Sequence, residues 1–86
     1  GMKEFDRLVE IVRKLRDKEN GCPWDKEQTH ASLVPNFIEE LYEVVEAIEN
    51  EDSAHLSGEL GDLMLHIVMQ TQIASEEKHF SMKDVL

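Results

Sequence analysis

Residues 37–49 of the chain read FIEELYEVVEAIE, and residues 56–69 read LSGELGDLMLHIVM. In the first stretch the apolar residues recur three and four positions apart, which is the spacing of an amphipathic α-helix. A proline just ahead of this stretch suits a first helical turn, so the helix is predicted to begin near Pro35 and to run to about Asn50. This helix is the first half of a predicted hairpin, and its apolar arc consists of Phe37, Leu41, Val44, Val45 and Ile48.

The second stretch predicts a longer helix from Ser53 to about Lys78, with Asp52 or Ser53 supplying the turn and the N-cap. Its apolar residues cover most of the helix circumference, which is typical of a helix that is buried on more than one side. A three-helix monomer offers too few neighbours to cover it. A second copy of the chain is the simplest cover, and we therefore expect a homo-oligomer.

The flanking segments predict further helices and no strand. Apolar residues at helical spacing over residues 3–18 indicate an amphipathic helix that ends before Asn20-Gly21, and an ordered loop is expected over residues 20–29. Ser81 and Asp84 have the spacing of a capping box that opens a fourth helix. We therefore predict one all-α helical-bundle domain over residues 1–86, with Gly1 as an expression scar and the C-terminal helix truncated.

Two pairs of carboxylates lie on the predicted hairpin. Glu40 and Glu43 are three positions apart on one helix, as are Glu59 and Asp62 on the other, so the members of each pair lie about 60° apart on one face. Each pair borders an apolar arc, and antiparallel packing through those arcs brings the pairs together. Such a set of oxygens suits a hard divalent cation, Mg²⁺ first and Mn²⁺ as a substitute. The alternative is that these acids simply face solvent.

The charge distribution favours cation binding. The 86 residues carry a net charge of −10, and residues 27–77 hold twelve acids with no Lys or Arg. This balance argues against binding to nucleic acid or to an anionic membrane surface, both of which need clustered bases. The chain has a single cysteine, no apolar stretch long enough for a membrane span and no leader, so a cytoplasmic location is expected.

The sequence also resembles the MazG family of nucleoside triphosphate pyrophosphohydrolases over nearly its whole length. The resemblance rests on the segments Leu15-Arg16-Asp17, Gly21-Cys22-Pro23-Trp24-Asp25, Gln28-Thr29-His30, the Glu39–Ile48 run and Gly58-Glu59-Leu60-Gly61-Asp62-Leu63. It implies an all-α NTP pyrophosphatase fold, assembled as a dimer or a dimer of dimers. It also implies that Mg²⁺ is held by Glu40, Glu43, Glu59 and Asp62.

The resemblance further implies cleavage of a nucleoside triphosphate between its α and β phosphates. Glu39 or Glu43 is then expected to act as the general base, and Trp24, Asp25, Lys26 and His30 are expected to contact the substrate. Two alternatives from the residues themselves stay open: Trp24 as a core plug that anchors its loop, and His30 as a cap of the short turn. The competing function is a catalytically weak helical dimerisation or regulatory module that keeps a carboxylate metal site.

Overall fold

The computed structural model describes residues 2–86, which form five helices and no strand. The all-α prediction is therefore confirmed, while Gly1 lies outside the described residues. In chain order the helices are α1 (Met2–Leu15), α2 (Pro23–Lys26), α3 (Val34–Glu49), α4 (Ser53–Glu76) and α5 (Met82–Val85). The bounds of α3 and α4 agree with the predicted hairpin to within two residues, and the Asp52 side chain caps α4 by accepting the backbone N–H of His55.

Helix α4 is the central element, because α1, α3 and α5 all pack against it. The hydrophobic core lies along its C-terminal half. Its buried residues are Val12, Leu33, Val68, Met69 and Ile73, with Phe5, Leu8, Val9 and Met82 packed around them. This end of the molecule therefore contributes most of the apolar burial.

The first helix ends earlier than its apolar pattern predicts. The prediction extended it to residue 18, whereas α1 ends at Leu15. The reason is Asp17, whose Oδ1 accepts the backbone N–H groups of Glu19 and Asn20, both at 2.9 Å. A short acidic side chain that bonds nearby backbone in this way competes with the helix. The predicted loop over residues 20–29 also contains the single turn α2, which Pro23 begins.

Position 21, at the end of this turn, has no room for a side chain, so it must be glycine. A Cβ at position 21 would lie 2.4 Å from the backbone oxygens of both Leu15 and Asp17. The close approach exists because the next residue, Cys22, donates its N–H to the Leu15 carbonyl at 2.9 Å. The chain therefore folds back tightly on the end of α1 before α2 begins.

Arg16 links this folded-back segment to α4. Its guanidinium donates to both carboxylate oxygens of Glu76 at 2.8 Å, and also to the backbone oxygens of Asp25 at 2.7 Å and Gln28 at 2.9 Å. The side chain is only 7% exposed. Four charge-assisted hydrogen bonds from one planar group hold α1, the α2 segment and the end of α4 in one arrangement.

The α3–α4 hairpin buries less of its apolar surface than the sequence pattern predicts. Val44 and Ala47 are buried and Phe37 is half-buried, with its ring stacked on His66 of α4 at a centroid distance of 5.6 Å. The exposed apolar residues of α3 are Val34, Ile38, Leu41, Tyr42, Val45 and Ile48, and those of α4 include Leu60, Met64 and Leu65. The prediction that the whole arc packs within one hairpin is therefore wrong for Leu41, Val45 and Ile48. One neighbouring helix covers only half of so wide an arc.

Within residues 2–86, none of the helices combines the length and apolar character needed to cross a membrane.

We predict that Arg16→Met destabilises the chain by about 1–3 kcal/mol, because it removes a bidentate pair whose guanidinium is buried and leaves two backbone carbonyls without their donor. Arg13→Met is the matched control, since Arg13 pairs with Glu10 on the exposed face of α1. We expect Arg13→Met to change the free energy of unfolding little. Urea unfolding followed by circular dichroism measures both, and equal effects of the two substitutions would contradict the role of Arg16.

Candidate metal centre

Three carboxylates from two helices meet on one side of the hairpin. Glu40 and Glu43 are presented by α3 and Glu59 by α4, and one oxygen of each lies within 4.8 Å of the others. The i, i+3 spacing gives the two α3 residues one face, and the antiparallel packing of α4 brings the third residue opposite them. We refer to these three residues as the carboxylate cluster.

The cluster is partly withdrawn from water. Glu59 is only 8% exposed, and the Oε1 atom of Glu40 is buried without a hydrogen-bond partner among the described residues. A buried carboxylate oxygen without a donor carries an uncompensated desolvation cost. The donor set therefore fits a divalent cation, which would satisfy this oxygen and offset three like charges at once.

The electrostatics of the cluster point the same way. Burial raises the pKa of Glu40 above its ordinary value, and the nearby charges of Asp62 and Glu43 raise it further. The pKa of Glu43 is raised first by its hydrogen bond with Glu59 and then by the negative charge of that residue. Carboxylates that hold their protons more tightly in the folded chain lack sufficient positive charge around them.

Two of the predicted acids lie at the edge of the carboxylate cluster. Asp62 is exposed and is not one of the three residues whose oxygens meet, although its charge raises the pKa of both Glu40 and Glu43. Glu39 is exposed on α3, and its charge also raises the pKa of Glu40. The negative charges of both acids therefore affect the pKa values of the carboxylate cluster, although neither acid is one of its three residues.

One neighbour of the cluster was missed by the sequence reasoning. The Nε2 atom of His55, one helical turn before Glu59 in α4, lies 3.5 Å from Oε2 of Glu59. The i, i+4 spacing of these two residues is a signal that could have identified this contact from the sequence. His55 is thus the imidazole that lies beside the buried carboxylate.

The predicted substrate residues lie on the α2 segment and the connection that follows it. Trp24 is 55% exposed, so the alternative of a core plug is wrong within a single chain. The Lys26 ammonium donates to the backbone oxygen of Lys18 at 3.2 Å, and the backbone oxygen of Asp25 accepts from Arg16. The Trp24 indole is therefore the large apolar group that this segment presents to solvent.

His30 does not cap the short turn. Its ring nitrogen Nδ1 is hydrogen-bonded to Oε1 of Gln70 on α4. The turn is instead closed by Thr29 and Ser32, because each side-chain oxygen accepts the backbone N–H of the other residue, at 2.8 and 3.0 Å. The reciprocal pair leaves the imidazole free to reach across to α4.

Within one chain, the structure does not bring the α2 segment to the carboxylate cluster. Arg16 ties that segment to Glu76 at the C-terminal end of α4, whereas Glu59 lies near the N-terminal end. Glu76 is seventeen positions after Glu59, which corresponds to about 25 Å of helix at 1.5 Å per residue. A ligand that touched both regions of one chain would need to span that length.

We predict that Glu43→Gln raises the melting temperature of the metal-free chain at neutral pH, because it removes one of three crowded charges and adds an amide that donates to Glu59. Glu46→Gln, one turn along α3 and exposed, is the control and should have little effect. Thermal melts in EDTA measure both. A lower melting temperature for Glu43→Gln would contradict charge crowding in the cluster.

The stability of the metal-free chain should decrease as pH rises, because of the raised pKa values of Glu40 and Glu43. A carboxyl group with a raised pKa binds more protons in the folded chain than in the unfolded chain, so its contribution to stability is lost as pH rises above the ordinary value of 4.5. Without metal, Glu40 and Glu43 should make the melting temperature fall as pH rises above 4.5 and through their raised pKa values. Added Mg²⁺ should remove that fall, which parallel melts with Mg²⁺ and with EDTA test.

Comparison with known proteins places this sequence in a family. Residues 28–86 match the model of the MazG nucleotide pyrophosphohydrolase domain. A nucleoside triphosphate pyrophosphohydrolase of Escherichia coli K12 is 52% identical over 84 residues, which cover 98% of this chain and 32% of that protein. The nucleoside triphosphate pyrophosphohydrolase/pyrophosphatase MazG of Thermotoga maritima is 48% identical over 82 residues, or 95% of this chain and 32% of that protein.

The uncharacterised protein YabN of Bacillus subtilis is also 48% identical, over 96% of this chain and 17% of its own length. The chain thus spans about a third or less of these relatives. The matched region includes α3, α4 and all three residues of the carboxylate cluster. On this match, the chain belongs to the MazG nucleotide pyrophosphohydrolase domain family.

Proposed function

We propose that this domain hydrolyses nucleoside triphosphates between the α and β phosphates, releasing a nucleoside monophosphate and pyrophosphate, and that it requires Mg²⁺. The observation that carries the proposal is the carboxylate cluster, with its crowded charges and the unpartnered buried oxygen of Glu40. Three carboxylates alone would repel a triphosphate. A site with this composition therefore suits a polyanionic substrate only when cations are bound.

Glu40, Glu43 and Glu59 would hold the ion, with Asp62 at the rim as a fourth ligand. Bound there, Mg²⁺ or Mn²⁺ would neutralise phosphate charge and lower the pKa of a bound water. Glu39 and Glu43 are four positions apart and share one side of α3, so either can accept the proton of a water on that side. We assign the general-base role to this pair.

We further propose that the working unit is a homodimer or a dimer of dimers. Nine large apolar side chains of α3 and α4 are exposed: Val34, Ile38, Leu41, Tyr42, Val45, Ile48, Leu60, Met64 and Leu65. So many exposed apolar side chains on two packed helices of a small domain favour burial against a second copy.

A second copy also resolves the separation of the two predicted sets of site residues. Trp24, Asp25 and Lys26 of one subunit would approach the carboxylate cluster of the other, with Trp24 stacking on the nucleobase. His30 also stays a proposed substrate contact, because only its Nδ1 atom is hydrogen-bonded to Gln70.

A second candidate function is a catalytically weak dimerisation or regulatory module that keeps the metal site. The distance between the α2 segment and the carboxylate cluster within one chain favours it. The two candidates differ in turnover: the module predicts a higher melting temperature with Mg²⁺ and no release of pyrophosphate from any nucleotide.

The activity is tested with a panel of ribo- and deoxyribonucleoside triphosphates, with Mg²⁺ or EDTA, by chromatography of the products. We expect monophosphate and pyrophosphate in equal amounts with Mg²⁺ only. Glu40→Gln and Glu59→Gln should each lower kcat by about 10²-fold or more, because each removes a charge that positions the ion. Glu46→Gln should retain activity, and release of inorganic phosphate as the first product would contradict the proposed bond.

The shared site is tested by mixing two inactive variants. Trp24→Ala damages the substrate segment and Glu40→Gln damages the carboxylate cluster. If each site combines one segment with the other subunit's cluster, random mixing should restore about a quarter of wild-type activity, since half of the dimers are mixed and each has one intact site. No recovery after subunit exchange, shown by a labelled subunit, would place both sets in one chain.

A further inference from the structure

His55 lies at the edge of the carboxylate cluster, on the solvent side of Glu59. Its Nε2 atom is 3.5 Å from Oε2 of Glu59. The His55 side chain is 44% exposed, whereas the Glu59 side chain is 10% exposed. An imidazole that is open to solvent therefore meets a carboxylate that is withdrawn from it.

The backbone of His55 is held by the cap of α4. Oδ1 of Asp52 accepts the backbone N–H of His55 at 3.1 Å, and the Asp52 backbone oxygen accepts the N–H of Leu56 at 2.9 Å. His55 thus lies in the first turn of the helix, four positions before Glu59 and on the same face. The capped turn presents the ring to Glu59 without any contact from α3.

An ion in the carboxylate cluster leaves one oxygen of Glu59 without a partner. One oxygen from each of the three residues takes part in the cluster, so the second oxygen of Glu59 still needs a hydrogen-bond donor. Glu40 and Glu43 cannot donate once they are ionised to bind metal. Residues 27–77 contain no Lys or Arg, and the donor that lies beside Glu59 is the imidazole of His55.

The ring also acts on the α3 side of the carboxylate cluster. The hydrogen bond with Glu59 and the charge of that residue raise the pKa of Glu43, whereas His55 acts on the same pKa in the opposite direction. His55 therefore lies close enough to influence one carboxylate on each helix of the hairpin.

We infer that His55 is a positioning residue of the metal centre, whose Nε2–H donates to Oε2 of Glu59 and turns the other oxygen of Glu59 towards the ion. This inference rests on the proposed metal site. The separation of 3.5 Å is longer than a hydrogen bond, and a small rotation of the exposed ring closes it. An imidazole has an N–H to donate in its neutral and in its protonated form, so the role does not depend on its charge.

A role as a simple counter-charge would have the opposite effect on metal affinity. A cationic imidazole repels a divalent cation, so its removal would tighten the binding of Mg²⁺. A hydrogen bond that orients a metal-binding carboxylate strengthens binding, and its loss typically weakens metal affinity 10–100-fold. The sign of the change therefore separates the two roles.

The test is calorimetric titration of the untagged, nucleotide-free chain with Mg²⁺ and with Mn²⁺. We expect His55→Ala to weaken binding by about tenfold or more, and His55→Gln to bind within about threefold of the wild type. The glutamine amide nitrogen replaces Nε2 as a donor and carries no charge. Circular dichroism in EDTA checks that each variant is folded, which we expect because the position is exposed.

His79→Ala is the matched control, because it removes an exposed imidazole beyond the other end of α4. It should leave the affinity for Mg²⁺ unchanged. Tighter binding in His55→Ala, unchanged binding, or equal losses in His55→Ala and His55→Gln would overturn the positioning role.

Glu59→Gln separates a failure of this inference from a failure of the proposed metal site. Loss of Mg²⁺ binding in Glu59→Gln with none in His55→Ala would keep the site and overturn the role of His55. A wild-type chain that binds neither Mg²⁺ nor Mn²⁺ would overturn the site itself and this inference with it. Metal binding that depends on His55 without release of pyrophosphate would support the inference and contradict the proposed hydrolysis.

Discussion

The packing of α3 along α4 is the constraint on which the candidate site depends. It brings Glu40, Glu43 and Glu59 together and removes part of that group from water. Because residues 27–77 contain no Lys or Arg, His55 is the basic side chain of the hairpin that lies beside them, and it is charged only when protonated. Charge repulsion therefore opposes the same packing that forms the site, and the packing must be stabilised elsewhere.

That stabilisation comes from the opposite end of α4. The buried apolar cluster and the four hydrogen bonds of Arg16 both lie along the C-terminal half of the helix, away from Glu59. A single 24-residue helix thus carries the structural core at one end and the crowded carboxylates at the other. The arrangement allows a strained acidic site in a chain of only 86 residues, because the strained contacts and the stabilising ones do not share side chains.

The sequence predicts local features of this structure well and long-range ones poorly. Features that depend on residues close together in sequence are predicted correctly. They are the bounds of α3 and α4, the Asp52 cap and the Ser81–Asp84 capping box. The role of Arg16 is not predicted, because its partner Glu76 is sixty positions away and an amphipathic helix pattern gives no sign of it. The exposure of Leu41 and Ile48 was also not predictable, since periodicity marks an apolar arc but not which neighbour covers it.

The same reasoning explains why the carboxylates were easier to find than the substrate segment. Glu40 and Glu43 share a helix face by spacing alone, and one antiparallel contact adds Glu59, so two local patterns almost determine the cluster. Trp24 lies on a four-residue helix whose position is set by Arg16 and by the tight turn at Gly21. In a single chain that position is remote from the cluster. A second copy of the chain that completes the site would account for two features at once. It would cover the exposed apolar side chains of α3 and α4, and it would bring an exposed Trp24 indole to the cluster.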